Sequence, residues 1–248
     1  MLAALGFLTP FGPARAPGPS ALRWFPLVGA AAGGAVGLVW WAASKGWHGP
    51  LVPAALAVVT DLVVTGMLHV DGLCDSADGL LPHLSRERRL EVMSEPAVGA
   101  FGSTVTLAVL LLRFAAFGGL RPDVALVAGV WCVSRSLVVV AMLVLPYARA
   151  TESPATGSLE TGGLATAFLG SGRKGAALAA SVGLAAGISL AVWAGGAPAA
   201  AGVGAGVAAA AAVVWLAWRR LGGFTGDVLG AAVVVSETAA ILVSGVRW

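Results

Sequence analysis

Residues 51–80 read LVPAALAVVTDLVVTGMLHVDGLCDSADGL, an apolar run of membrane-crossing length that ends in three aspartates within eight residues, Asp71, Asp75 and Asp78. The whole chain holds 12 acidic residues in 248, so three at one membrane edge need a counter-charge. Their spacing is i, i+4, i+7. If the segment is helical, all three carboxylates share one face. Like charges that close repel, and a bound divalent cation is the natural compensator. The alternative is a solvated helix end, which three acids on one face beside apolar spans disfavour.

Composition extends this reading to the rest of the chain. It is 58% hydrophobic and 11% charged, with a mean hydropathy of +0.89. A soluble domain carries about 25% charged residues. The expected fold is an all-α, polytopic helical bundle in the membrane, forming a single membrane-embedded domain over residues 1–248. About seven spans are expected, near 27–44, 51–68, 103–120, 124–145, 175–194, 199–218 and 228–246. Polar loops are expected near 69–102, 147–174 and 219–227. Residues 1–26, rich in Pro and Gly, suit the interface. No basic residue precedes the short run Leu2–Leu8, so a signal peptide is not indicated. Cys74 and Cys132 make no disulfide framework.

Lys and Arg set the topology. One side receives Arg15, Arg23, Arg86, Arg88, Arg89, Arg149, Arg173, Lys174, Arg219 and Arg220; the other receives Lys45, Arg121 and Arg247. This bias places the three polar loops in the cytoplasm, with the aspartates, Arg149 and Asp227 on that side. The basic residues are spread over loops, so the pI near 9.4 reflects topology and no nucleic-acid partner is expected. Arg86, Arg88 and Arg89 read as part of this bias rather than as a substrate site. Trp24, Trp40, Trp41, Trp47 and Trp218 sit near span ends, as in interfacial belts. Gly29, Gly33 and Gly37, and Gly202 with Gly206, are spaced for close helix packing.

Four charges fall inside the spans. Asp61 lies ten residues before Asp71 and Glu237 ten after Asp227, each about 15 Å deep if helical, and Arg113 and Arg135 fall at similar depth. A lone charge there costs at least about 2.5–3.5 kcal/mol, so the two acids and two arginines are expected to pair. His69 reads as a general base, a neighbour of a metal site, or an interfacial histidine bonded to Asp71. Asp227 is placed to cap the helix beginning near Val228. Arg149 either binds phosphate or marks the span boundary, and Glu95 either orders its loop or assists the metal.

Two families resemble this pattern. Asp75-x-x-Asp78-Gly79 and Gly223-x-x-x-Asp227 resemble parts of the CDP-alcohol phosphotransferase motif, but Leu81-Pro82-His83 replaces that family's Ala-Arg, and its final aspartate would fall at Ala231. A closer resemblance covers most of the chain. Phe25 through Gly29, His69 through Leu80, Met93 through Gly102, Pro146-Tyr147-Ala148-Arg149 and Gly222 through Ala231 are similar to the cobalamin synthase (adenosylcobinamide-GDP ribazoletransferase) family. Two departures are visible. Phe7 through Pro13 lacks the family's arginine, and Val234 stands where an acid is usual.

The closer resemblance implies an Mg²⁺-dependent, multi-pass enzyme of the inner (cytoplasmic) membrane. It would join adenosylcobinamide-GDP to α-ribazole or its 5′-phosphate and release GMP. It implies a metal site of Asp71, Asp75, Asp78 and Asp227, catalytic roles for those on the first motif with His69, and substrate contacts from Arg149 and Thr225. Membrane lipid surrounds such a bundle, which also admits a homo-oligomer. A membrane phosphotransferase of the CDP-alcohol type and a secondary transporter are the rival readings. A transporter places its acids at the midplane, whereas this chain gathers most of its own at one edge.

Overall fold

The apolar windows become helices, and the junctions between them carry the polar motifs. The computed structural model describes residues 1–12, 18–152, 159–161 and 172–246. Arg15, Arg247 and most of the loop expected near 147–174 lie outside the described residues. A short helix α1 (Leu2–Leu8) and a 3₁₀ turn (Pro19–Trp24) lead into α2 (Phe25–Gly46). Next come α3 (Leu51–Val64), α4 (Leu68–Leu80), α5 (Arg86–Val92), α6 (Ala100–Gly119) and α7 (Val124–Val144). A small antiparallel ribbon pairs β1 (Ala150–Glu152) with β2 (Leu159–Thr161), before α8 (Arg173–Leu221) and α9 (Gly226–Ser244).

Among the described residues, five helices are long and apolar enough to cross a membrane, or six if α3 and α4 count as one broken span. The 49-residue α8 would be about 73 Å long if straight, more than twice a bilayer core. It breaks at Gly196 (φ 63°, ψ −146°), two residues before Pro198. The expected spans 175–194 and 199–218 fall on either side of that break.

The span expected over 51–68 is shorter than its hydropathy indicates. Helix α3 stops at Val64, because Gly66 (φ 56°) and Met67 (φ 60°) turn the chain through left-handed backbone. Helix α4 then leaves at 88° to α3. The expected polar loop 69–102 is therefore largely helical, holding both α4 and α5. The three aspartates do lie on one helix at the expected spacing.

Small residues set the packing. A Cβ on Gly29 would lie 2.6 Å from the Trp131 carbonyl, one on Gly33 2.7 Å from that of Val127, and one on Gly37 2.8 Å from Cα of Val124. The three glycines thus seat α2 on α7 backbone to backbone. Gly202 and Gly206 seat the second limb of α8 on Ala240 and Ser236 of α9 in the same way. Trp40, expected at the interface, is instead buried against Phe117 with ring centroids 4.8 Å apart. Trp41, Trp47 and Trp218 are about half exposed, as a belt requires.

The four intramembrane charges pair. Arg113, fully buried, forms ion pairs with Asp61 of α3 and with Glu237 of α9, the latter at 3.1 Å. It also donates to Thr238 Oγ1 at 2.9 Å and to the Val234 carbonyl at 2.8 Å. Its guanidinium lies 5.3 Å from the ring of Trp131, whose indole N–H donates to Asp61 at 3.0 Å. Arg135 pairs with Glu237, which also accepts from Ser134 at 2.9 Å. Removing one member strands a charge in a low-dielectric interior. Arg113→Met should therefore destabilise the detergent-solubilised protein by about 3–5 kcal/mol, read by thermal or denaturant unfolding. Adding Asp61→Asn should recover part of that loss. Equal stability of Arg113→Met and wild type would contradict the pairing.

Candidate functional site

The site forms where α4 meets the start of α9. A Cβ on Gly72 would lie 2.7 Å from the Asp227 carbonyl, and one on Gly230 would lie 3.2 Å from Cα of His69. Two glycines, one on each helix, thus bring the backbones together. Asp71 and Asp75, which bracket Gly72, are held beside Asp227. The other side is closed by main-chain pairing between the two remaining motifs. Tyr147 bridges to Phe224; the Phe224 N–H donates to the Pro146 carbonyl at 3.0 Å and the Ala148 N–H to the Phe224 carbonyl at 2.8 Å. Gly223 lies so close to the Pro146 carbonyl that a side chain there would collide with it. This pairing sets Arg149 next to Asp227, with Nη2 3.5 Å from Oδ2. Arg149 also donates to Ser94 Oγ.

These elements enclose a cavity of about 370 Å³. Its polar wall carries His69, Asp71, Arg135, Arg149 and Asp227; its apolar wall includes Phe7, Phe25, Val138, Met142, Leu229 and Val233. Burial raises the pKa of the Tyr147 phenol at the rim; Arg149 opposes that shift and Asp227 adds to it. His69 is 6% exposed, and its Nδ1 has no hydrogen-bond partner. It does not bond to Asp71, since residues two apart on a helix face different ways. Asp71 is exposed and Asp75 half-buried, and neither has an ion-pair or hydrogen-bond partner among the described residues.

Asp78 has a different setting. Its Oδ2 accepts from the Gly99 N–H at 2.7 Å and its Oδ1 from the Gly102 N–H at 2.9 Å. It ties α4 to the N-terminus of α6, where unpaired N–H groups and the helix dipole favour an anion. Both glycines leave room that a Cβ would take from the carboxylate. Among the described residues, no three His, Cys, Asp or Glu side chains already converge as a metal-binding group. The acids that face one another near the cavity are Asp71, Asp75 and Asp227, with Asp78 turned away to α6.

Helix α9 begins at Gly226, so its N-cap is Thr225, not Asp227. Thr225 Oγ1 accepts from the Val228 N–H at 3.3 Å and lies 3.3 Å from Asp227 Oδ2. Thr225 is fully buried and does not line the cavity, while Asp227 is left free to face Arg149. Glu95 pairs with Arg88 at 2.9 Å on the exposed loop before α6, which suits an ordering role. The basic cluster serves helix ends. Arg86 donates to the Leu221 and Ala148 carbonyls at 2.8 and 2.7 Å, and Arg89 to those of Gly79 and Leu80 at 2.7 and 2.9 Å. Arg135 was read in the sequence only as a packing charge. Its place on the cavity wall follows from the α2–α7 contact, for which the glycine spacing was the available signal.

Carboxylates, two arginines and a histidine whose Nδ1 has no partner among the described residues surround a partly apolar cavity at one end of a membrane bundle, the arrangement of a membrane enzyme. The chain belongs to the cobalamin-5-phosphate synthase family, which it matches over residues 1–245. It is 39% identical over 234 residues to an adenosylcobinamide-GDP ribazoletransferase of Leptothrix cholodnii, covering 89% of this chain and 82% of the relative. Relatives of the same name from Chlorobium phaeovibrioides and Chlorobaculum tepidum are 35% and 36% identical, each over 92% of this chain and 88% and 89% of their own lengths. No solved structure matches this chain.

The Asp78 contacts generate a test. Asp78→Ala removes the acceptor from the part-buried N–H of Gly99 and the buried N–H of Gly102, a loss of about 2–4 kcal/mol in unfolding free energy. Gly102→Val, which pushes into the same carboxylate, should cause a similar loss. If Asp78→Ala is as stable as wild type, the brace between α4 and α6 is not real.

Proposed function

We propose that this chain is an adenosylcobinamide-GDP ribazoletransferase. It joins adenosylcobinamide-GDP to α-ribazole or α-ribazole 5′-phosphate, gives adenosylcobalamin or its 5′-phosphate, and releases GMP. The observation that carries the reading is the meeting of Asp71, Asp227, Arg149 and His69 at one cavity, in a chain that belongs to this family over nearly its whole length.

The chemistry follows from the groups present. A ribose hydroxyl oxygen of the acceptor attacks the cobinamide-linked phosphorus. The bond from that phosphorus to the bridging oxygen breaks, and GMP leaves with the bridging oxygen. Arg149 holds a phosphate oxygen at the cavity rim, where its fork of donors suits a diphosphate. His69, whose Nδ1 is buried without a partner, accepts the proton of the attacking hydroxyl. The apolar wall excludes water, which would otherwise compete as nucleophile.

Asp71 and Asp75, which have no ion-pair or hydrogen-bond partner among the described residues, and Asp227 supply hard oxygen donors, the chemistry that a divalent cation such as Mg²⁺ takes. These three would hold it, while Asp78 keeps α6 in place. When bound, the ion neutralises diphosphate charge as the phosphorus is attacked.

Activity is tested with purified protein, Mg²⁺, adenosylcobinamide-GDP and α-ribazole 5′-phosphate, with GMP measured. Asp71→Asn, Asp75→Asn and Asp227→Asn should each lose at least about 100-fold in turnover while keeping the fold, as loss of charge stabilisation at a phosphoryl-transfer site does. Chelation should silence the wild type. Near-normal turnover of Asp75→Asn in chelator would sink the metal site, and release of CMP from a CDP-alcohol instead of GMP would redirect the assignment to the rival transferase.

We also place the site at the cytoplasmic face of the cell membrane, on the Lys and Arg bias. Cysteine-free protein carrying Ala97→Cys should label with an impermeant thiol reagent only from the cytoplasm, and Gly49→Cys only from outside. Labelling of both from one side would refute this orientation.

A further inference from the structure

We propose that Arg135 is the residue that anchors the acceptor, by binding its 5′-phosphate at the inner end of the cavity; this rests on the transferase reading above. The two buried arginines differ in a way that points there. Arg113 does not line the cavity, and its Nε and both terminal nitrogens donate to protein. Arg135 does line the cavity, and it donates only through Nη1, to Ser134 and Glu237. Its Nε and Nη2 have no acceptor among the described residues, although the residue is 98% buried by side chain. A guanidinium carries five N–H donors, and those on Nε and Nη2 are not among the fully enclosed polar atoms, so they stay open to the cavity, where a ligand can take them.

The geometry separates this cation from Arg149. Arg135 lies nine residues before Val144, the last residue of α7, hence about 13 Å deeper along the helix. Arg149 lies beyond that end, beside Asp227. The cavity therefore has a rim cation matched with the aspartates and an inner cation beside His69. A phosphate monoester presents three terminal oxygens, two of which fit the planar fork of a guanidinium. Phe25, Val138 and Met142 around Arg135 exclude water, which strengthens such a pair and leaves apolar surface for the aromatic base. With its phosphate on Arg135, the acceptor's ribose hydroxyl turns to His69 and the donor's diphosphate stays with Arg149. Arg135 is then a specificity residue of the transfer, and Glu237 and Ser134 position it.

The test measures binding without the donor, so it reads independently of GMP release, and failure of one reading is not failure of the other. Calorimetry on the detergent-solubilised protein compares α-ribazole 5′-phosphate with α-ribazole. Wild type should bind the phosphorylated compound at least about tenfold tighter, as expected for a charge-assisted contact. Arg135→Lys should keep most of that ratio. Arg135→Gln combined with Glu237→Gln, which removes a neutral pair and leaves Arg113 with Asp61, should bring the two affinities within about twofold. Arg149→Gln, at a partly exposed position that tolerates change, should leave the ratio as in wild type. The proposal is overturned if wild type shows no preference, if the double variant keeps the ratio, or if Arg149→Gln abolishes it.

Discussion

Everything at the cavity depends on the guanidinium of Arg113. It is wholly buried, yet it reaches α3 through Asp61 and α9 through Glu237 and the Val234 carbonyl, and it lies against Trp131 of α7. Three helices, α3, α7 and α9, thus converge on one planar group carried by a fourth, α6. Hydrophobic packing alone is permissive in a bilayer, because lipid tails are as apolar as the side chains they replace. A charge that must find its partners at one depth is far less permissive. It sets the relative height of α3, α6 and α9, and so the height at which α4 departs from α3 and meets the first turn of α9.

The second constraint is the close approach at Gly72 and Gly230. It turns a long-range requirement, aspartates on α4 beside an aspartate on α9, into a local steric one. The main-chain pairing of Pro146–Ala148 with Gly223–Phe224 works the same way from the opposite side. Functional side chains here are placed by backbone contacts between motifs, and the glycines in those motifs are the means.

Much of this was legible in the sequence. Spacing put Asp71, Asp75 and Asp78 on one helix, depth paired Asp61 and Glu237 with Arg113 and Arg135, and the glycine steps gave helix contacts. What was missed has a common cause. Spacing along a helix reports which residues share a face but not what that face meets. Nothing in the local pattern says that Asp78 would accept from Gly99 and Gly102, that Trp40 would turn inward to Phe117, or that Thr225 rather than Asp227 would cap α9. The end of α3 at Val64 was hidden because hydropathy runs on through Met67, while the backbone turns at Gly66. The two open carboxylates, Asp71 and Asp75, were recognisable as acids at an edge; that they lack partners among the described residues is a property only of the assembled bundle.

The arginines of α5 carry a consequence for how the protein is made. Arg86 holds the end of α8 by donating to the Leu221 carbonyl, 135 residues further along the chain. A growing chain presents Arg86 long before Leu221 exists. The same side chain therefore serves twice in succession: first as an unpaired positive charge that biases which way the early helices insert, and later, when the last limb of α8 arrives, as the latch on its final turn. The charge is free while the early helices are made, and the latch can close only once the last turn of α8 exists.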